Sequence, residues 1–394
     1  MKISFLVQDL SDNASGRAYL LAKILQKHFK IEIVGPMFGG EIWPPLSSDK
    51  SIEYKYVRIK GKIKPYLQLM HLSRQIEGTI VYAFQPLFAT LGMGLLHKIV
   101  NNRPLILDID DWQYGFLKEQ YNSRPLGLPS LRVLAFSALN FYKIDSYWNA
   151  LFFDKMTCCA DEITVASTWL KEKFSGTVIY HARDTELFNP DKFDKSLIRK
   201  EYGISDNNKI IMFFGTPRSY KGIEDLITAV KLAGDNNIVL VVVGINDNDL
   251  YAKNLAINAK KILGEQFRLF PWQDFEKVPK FLAMADLVVI PQRSNYATVG
   301  QVPAKIFDAM AMAKPIIATS VSDHRKILND CGWIVEPQNP KQLSEAIRHV
   351  FENPQTAKER GSKARQRCIE RYSYKAAEKV LLGIFKKHKA FQRA

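Results

Sequence analysis

Cysteine is scarce in this chain, with four in 394 residues. Cys158 and Cys159 are adjacent, while Cys331 and Cys368 stand alone, so no spacing suits a zinc site and no disulfide framework is indicated. That usage fits a reducing, cytosolic compartment. Long apolar runs are also missing. An apolar stretch in the middle, Val133 to Tyr142, is bounded by Arg132 and Lys143 and has about half the length a bilayer span requires. No transmembrane helix is expected. The opening Met1-Lys2-Ile3-Ser4-Phe5-Leu6-Val7 begins like a secretion signal, but Asp9 and Asp12 cut the apolar stretch short, and it reads as a buried first strand. No tract before the final basic tail is polar or repetitive enough for disorder.

What is present is a globular composition, 47% hydrophobic and 24% charged, in a chain too long for one ordinary core. Short β-branched runs alternate with helical periodicity, the pattern of βαβ units and parallel sheets. In the first half, strands are expected at Ile3–Val7, Ile31–Val34, Thr79–Ala83, Leu105–Leu107, Ile163–Val165 and Thr177–Tyr180. The polar segment Asp191–Asn208 marks a boundary. Beyond it, strands at Ile210–Phe214, Ile238–Val243, Phe267–Leu269, Leu287–Ile290 and Ile316–Ala318 form a second Rossmann-like alternation. The expected domains are 1–190, joined by a terminal helix at about 373–394, and 191–372. Ligands of such sheets sit beyond the carboxyl ends of the strands, so two domains facing across a cleft would gather two sets of strand-end loops.

Two segments carry chemistry. Phe213-Phe214-Gly215-Thr216-Pro217-Arg218-Ser219-Tyr220-Lys221-Gly222 places two glycines and two cations between a strand and a helix. Glycines admit a close backbone approach, a helix start offers N–H groups, and Arg218 and Lys221 supply countercharge for a phosphate. The alternative is an ordinary loop with two solvated cations. Further on, Val302-Pro303-Ala304-Lys305-Ile306-Phe307-Asp308 opens a helix on which Gln301, Lys305 and Asp308 share one face at i, i+4 and i+7.

With these residues the C-terminal domain resembles the retaining glycosyltransferases of the family-4 type, which have the GT-B architecture. Members carry a glycine, an arginine and a Lys-Gly pair after the domain's first strand, matched by Gly215, Arg218, Lys221 and Gly222. Their helix-opening Lys-x-x-Glu-(Ala/Tyr)-Met-Ala is matched by Lys305, Asp308, Ala309, Met310 and Ala311, and their Pro-(Ile/Val)-(Ile/Val)-Ala by Pro315 to Ala318. The resemblance implies an α/β fold of two doubly wound domains, with C-terminal helices crossing back to the N-terminal one. It implies that Arg218 and Lys221 grip the diphosphate of a UDP- or GDP-sugar, with no other cofactor and no metal, and that Asp308 meets the donor ribose. Two departures stand out: aspartate replaces glutamate at Asp308, and Gly300 replaces the family's first glutamate. Backbone N–H groups of Gly300, Gln301 and Val302 remain available to phosphate.

The N-terminal domain carries the acceptor side. Gly16 alone matches the pair of glycines that the family places near the donor phosphate. Asp108-Ile109-Asp110-Asp111-Trp112 ends a strand where many relatives have His-Asp, so Asp110 occupies the histidine position. These carboxylates orient an acceptor hydroxyl or a sugar, cap a loop, or form an Asp-x-Asp cation site. His181-Ala182-Arg183-Asp184 stands where members read Asn-Gly-Val-Asp.

The formal charge of +15 points to anionic partners without choosing among them. Lys55, Arg58, Lys60, Lys62 and Lys64, interleaved with Tyr54, Tyr56 and Tyr66, suit an anionic lipid or a lipid-linked acceptor, or else form a solvated loop. Leu131 to Phe153 would cover a cleft, dip into a membrane interface or join the core. No recognition-helix or aromatic-platform pattern accompanies the charge, so nucleic acid is not expected. The expected role is transfer of a sugar to a glycan or glycolipid in cell-surface synthesis, in the cytoplasm or at the inner face of the membrane. An epimerase or hydrolase of the same architecture, or a non-catalytic nucleotide- or glycan-binding protein, is the rival reading.

Overall fold

Parallel strands covered by helices on both faces need apolar residues at every position rather than at alternate ones. β1 (Lys2–Leu6), β4 (Ile80–Phe84) and β5 (Leu105–Ile109) satisfy this, with nearly every side chain buried. A computed structural model describes residues 1–60, 65–122, 124, 127–245 and 249–387. It divides into two compact units: Met1–Tyr180 with the chain end from Ala377, and His181–Ala376.

In unit 1, β1, β2 (Lys30–Met37), β3 (Glu53–Arg58), β4, β5, β6 (Glu162–Val165) and β7 (Thr177–Val178) form a parallel sheet. The spatial order is β3-β2-β1-β4-β5-β6-β7. β3 lies within the run read from the sequence as a basic loop. Its Lys55 joins Lys2 around the buried Glu32 and the exposed Glu53 and Glu77, which neutralises a row of charges at the start of the strands. The helix Tyr374–Lys387 returns to this unit, burying Leu381, Ile384 and Phe385, with the Phe385 ring 5.0 Å from that of Phe29.

Unit 2 holds β8 (Lys209–Phe214), β9 (Ile238–Ile245), β10 (Phe267–Pro271), β11 (Leu287–Ile290), β12 (Ile316–Thr319) and β13 (Trp333–Val335), in the order β10-β9-β8-β11-β12-β13. The helix Ile223–Ala233 presses Ile223, Leu226, Ile227 and Val230 onto Ile211, Phe213, Leu240 and Val242 of this sheet. Each such side chain contributes roughly 1.5–3 kcal/mol by leaving water. In both sheets the strand order reverses beside the first strand of the unit, which opens a crevice at the carboxyl ends between β1 and β4 and between β8 and β11. Among the described residues, no helix is long and apolar enough to cross a membrane.

Candidate functional site

The loop after β8 is shaped by glycine. Gly215 has φ +125° and Gly222 φ +68°, in the left-handed region. A Cβ on Gly222 would lie 2.0 Å from the carbonyl oxygen of Pro291, so the turn closes directly onto the end of β11. Gly244, at the end of β9, approaches the Gly215 backbone so closely that a Cβ would lie 2.9 Å from its carbonyl carbon. Both expected cations lie on this loop. Lys221 Nζ donates to the Thr216 carbonyl at 2.6 Å. Arg218 pairs with Asp249, whose carboxylate also caps the helix Leu250–Leu263. That partner carried no recognisable signal in the sequence.

Lys305 completes the group. It heads the helix Lys305–Ala311, and its ammonium lies over the Phe213 ring, 4.1 Å from the centroid. A Cβ on Gly215 would sit 2.8 Å from Lys305 Nζ. Burial, reinforced by repulsion from Lys221 and opposed by Asp308, holds its pKa well below the ordinary lysine value. Among the described residues, no hydrogen bond or ion pair answers this cation. Gln301 is not on its helix. A turn from Thr298 to Gln301 and a tight entry at Pro303 and Ala304 precede Lys305, so the expected shared face begins only at Lys305. Gly300 and Val302 are buried beside this turn.

Asp308, expected at the ribose, is buried and pairs through Oδ1 with Arg183. Arg183 also donates to the carbonyls of Ala182 at 2.7 Å and Ala304 at 3.1 Å. The sequence marked Arg183 only as a departure from a family valine. The structure explains it as the partner of the shortened carboxylate.

At the carboxyl ends of the unit 1 strands the sign of charge is reversed. Asp108 ends in a closed network: Arg17 donates to both of its oxygens, at 2.9 and 3.0 Å, and Thr164 Oγ1 to Oδ2 at 2.7 Å. Arg17 Nη2 also reaches the Ile179 carbonyl at 2.7 Å, while its buried Nη1 has no partner. Asp110 accepts a hydrogen bond from the Gln85 amide. Burial pushes the Asp110 carboxyl up to about 8, the Asp111 and Asp108 charges add to the shift, and Arg17 opposes it. Asp111, the next residue, is part-exposed.

Gln85 was not read from the sequence, since a lone glutamine after a strand carries no motif. It is buried with φ +74°, held by Gln85 N to the Asp108 carbonyl at 2.8 Å and by Thr90 Oγ1 to its own carbonyl at 2.5 Å. A left-handed non-glycine residue costs roughly 1–2 kcal/mol, and that conformation turns its amide out of β4 toward Asp110. Gly16 begins the helix Gly16–Leu25 with φ −61°, an ordinary helical value, and a Cβ there would meet only the Trp43 ring at 3.6 Å. Among the described residues, the three carboxylates close enough to share a cation are Glu32, Glu53 and Glu77, already matched by Lys2 and Lys55. Lys55 is thereby withdrawn from the basic run, and Lys62 and Lys64 lie outside the described residues.

A model of the family described as glycosyl transferases group 1 matches residues 194–367. An uncharacterised glycosyltransferase of Methanocaldococcus jannaschii is 28% identical over 210 residues, 50% of this chain and 52% of that protein. An alpha-maltose-1-phosphate synthase of Mycolicibacterium smegmatis is 26% identical over 224 residues, 53% of this chain and 56% of that one. The chain thus spans about half the length of the curated relatives it matches. The crystal structure of Anabaena HepE with UDP and glucose superposes with a TM-score of 0.75 at 17% identity, covering 98% of this chain and 100% of that one. The two doubly wound units and this likeness give the chain the GT-B fold class that the sequence implied. Residues 194–367 match the glycosyl transferases group 1 family model, and unit 2 is the part of the chain that carries the match.

Proposed function

We propose that this protein is a retaining, metal-independent glycosyltransferase of the family-4 type. It moves a sugar from a UDP- or GDP-sugar to a hydroxyl of a glycan or lipid-linked acceptor in cell-surface synthesis, working in the cytoplasm or at the inner membrane face. Lys305 carries the reading. A desolvated cation with no ion-pair partner, resting on the Phe213 ring against Gly215 and repelled by Lys221, would be stabilised by an anion in that loop. Binding of a diphosphate there relieves both the burial and the repulsion. The UDP bound in the HepE structures supports a uridine nucleotide.

In this reading Lys221 and Lys305 neutralise the leaving diphosphate, joined by Arg218 once it exchanges Asp249 for phosphate. Backbone N–H groups of Gly300, Gln301 and Val302 are offered to the same phosphate, and Asp308, held by Arg183 at one oxygen, offers the other to the ribose. Preorganised cations act on charge as it develops, so no metal is required. The departing phosphate takes the acceptor proton. Asp110 keeps its own proton at neutral pH and donates it in a hydrogen bond that orients a sugar hydroxyl, while Gln85 fixes the other oxygen. Asp108 serves by holding Arg17, Asp111 meets the acceptor, and Gly16 lets the donor phosphate approach.

The test is calorimetric titration of UDP and GDP in the presence of a chelator, with Lys305→Ala beside the natural protein. One nucleotide binds without metal and Lys305→Ala weakens it by tenfold or more. Absence of binding by both nucleotides would reject the reading, and nucleotide release from the donor without any acceptor would favour a hydrolase.

A further inference from the structure

The helix Leu131–Leu139 turns apolar side chains both inward and outward. In its sequence, LRVLAFSAL, Ser137 is fully buried, and Val133 and Leu134 pack half-buried against Leu117, Tyr121, Tyr147 and Ala150. Ser137 Oγ lies 2.9 Å from Ser146 Oγ and accepts the Trp148 N–H at 3.1 Å. Three further apolar side chains face outward: Leu131 is 85% exposed, Leu139 77% and Phe136 57%. A surface helix of a water-soluble protein ordinarily gives that outer face to polar residues. The display widens through exposed Leu128, Ile144 and Phe152. It also extends to a second helix, because the Tyr142 ring meets Tyr66 at 5.4 Å, and Pro65–Ser73 exposes Leu67 and Met70 on its own surface. An apolar area of this extent on a soluble chain marks an interaction surface.

The charge around it selects the partner. Between Glu53 and Glu77 the sequence has six cations and no carboxylate. Of these, Arg58, Lys60 and Arg74 are exposed. Arg132 is exposed on the same helix, and the Lys143 ammonium lies over the Phe136 ring, 5.6 Å from its centroid. A second copy of the chain would bring the same cations against these. An anionic leaflet attracts each of them and solvates the leucines and aromatics at its headgroup boundary.

We propose that this face docks flat on an anionic lipid bilayer, with Leu131, Phe136 and Leu139 in the interface and Arg58, Lys60 and Arg132 toward the headgroups. The inference deepens the membrane-face part of the proposed function, and its vesicle test is separate from the nucleotide titration that tests the transfer reading. It is tested by sedimenting the full chain with vesicles of phosphatidylcholine alone or mixed with phosphatidylglycerol. The protein sediments with the mixed vesicles and about tenfold less with the neutral ones, and salt releases it. The triple variant Leu131→Ser, Phe136→Ser, Leu139→Ser keeps the natural melting temperature, because these side chains are exposed, and loses about tenfold or more in vesicle binding. Lys60→Glu with Arg132→Glu weakens binding to the mixed vesicles only. Equal sedimentation of the triple variant and the natural protein, or no sedimentation of either, would overturn the proposal. So would a lipid-free dimer that the triple variant dissociates, since that would assign the face to a second copy.

Discussion

Each unit buries one arginine–aspartate pair near the carboxyl side of its sheet, and the two pairs are held in different ways. Arg17 grips both oxygens of Asp108, and Thr164 takes what capacity remains. Arg183 holds Asp308 through one oxygen and spends its other donors on the carbonyls of Ala182 and Ala304. The unit 1 pair is consumed by the fold, whereas the unit 2 pair leaves one Asp308 oxygen outside the arginine's grip, the oxygen that the proposed function assigns to the ribose. A buried carboxylate is therefore a candidate site residue only to the extent that its neighbours leave it unsaturated.

The strongest way to break this comparison is to remove each arginine. Losing one partner of a buried pair costs about 3–5 kcal/mol. Arg17→Met is expected in that range, and Arg183→Met at its lower end because the Asp308 side chain keeps some contact with water. Urea titration measures both. Equal losses would mean that the two pairs are equivalent.

Next in size is the contrast of charge sign. Lys305→Ala is expected to lower turnover roughly 10²- to 10³-fold, about 2.7–4 kcal/mol of transition-state stabilisation, at unchanged melting temperature. A fall in melting temperature without a fall in turnover would make Lys305 a structural cation.

The acidic side gives a pH signature. With the Asp110 carboxyl at about 8 in the folded protein and about 3.9 unfolded, the folded state holds a proton that the unfolded state lacks throughout that window. Stability therefore falls as pH rises from about 4 through about 8. Asp110→Asn removes that slope in melting temperature. Turnover of the natural protein is expected to fall above pH about 8 as the group ionises, Asp110→Asn to lack that fall, and Asp110→Ala to lose about 10² in rate. A rise in rate through the same pH range would recast Asp110 as a base.

The smallest effects compare the two helix-opening glycines. Gly222→Ala meets both a left-handed backbone and the Pro291 carbonyl, and is expected to cost about 1–2 kcal/mol or more. Gly16→Ala meets neither and is expected to change stability by less than about 1 kcal/mol. A loss of nucleotide affinity in Gly16→Ala at unchanged stability would show that the missing side chain there serves the ligand.

Strands flanked by apolar runs were legible in the sequence, as β8, β9 and β11 illustrate. β3 was not, because Lys55 and Arg58 within it read as solvated charge, while in the fold Lys55 is drawn to Glu32. The polar segment Asp191–Asn208 hides a buried cation for the same reason. It contains Arg199, which is 2% exposed and bonded to the Met284 carbonyl and Asp286. Composition counts charges but does not tell which of them have partners far along the chain. The cationic residues Arg218, Lys221 and Lys305 could be found because they lie in ordered local motifs. Gln85, Arg17 and Asp249 could not, since their roles depend on contacts across 25, 91 and 31 residues.

Unit 2 is one uninterrupted stretch, His181–Ala376, whereas unit 1 is assembled from both sides of it. During synthesis the family-bearing unit has all of its strands before the helix Tyr374–Lys387 exists. The other sheet must wait with Phe29 uncovered until Phe385 arrives. The order of translation thus sets an order of folding, in which unit 2 matures first and unit 1 is finished last.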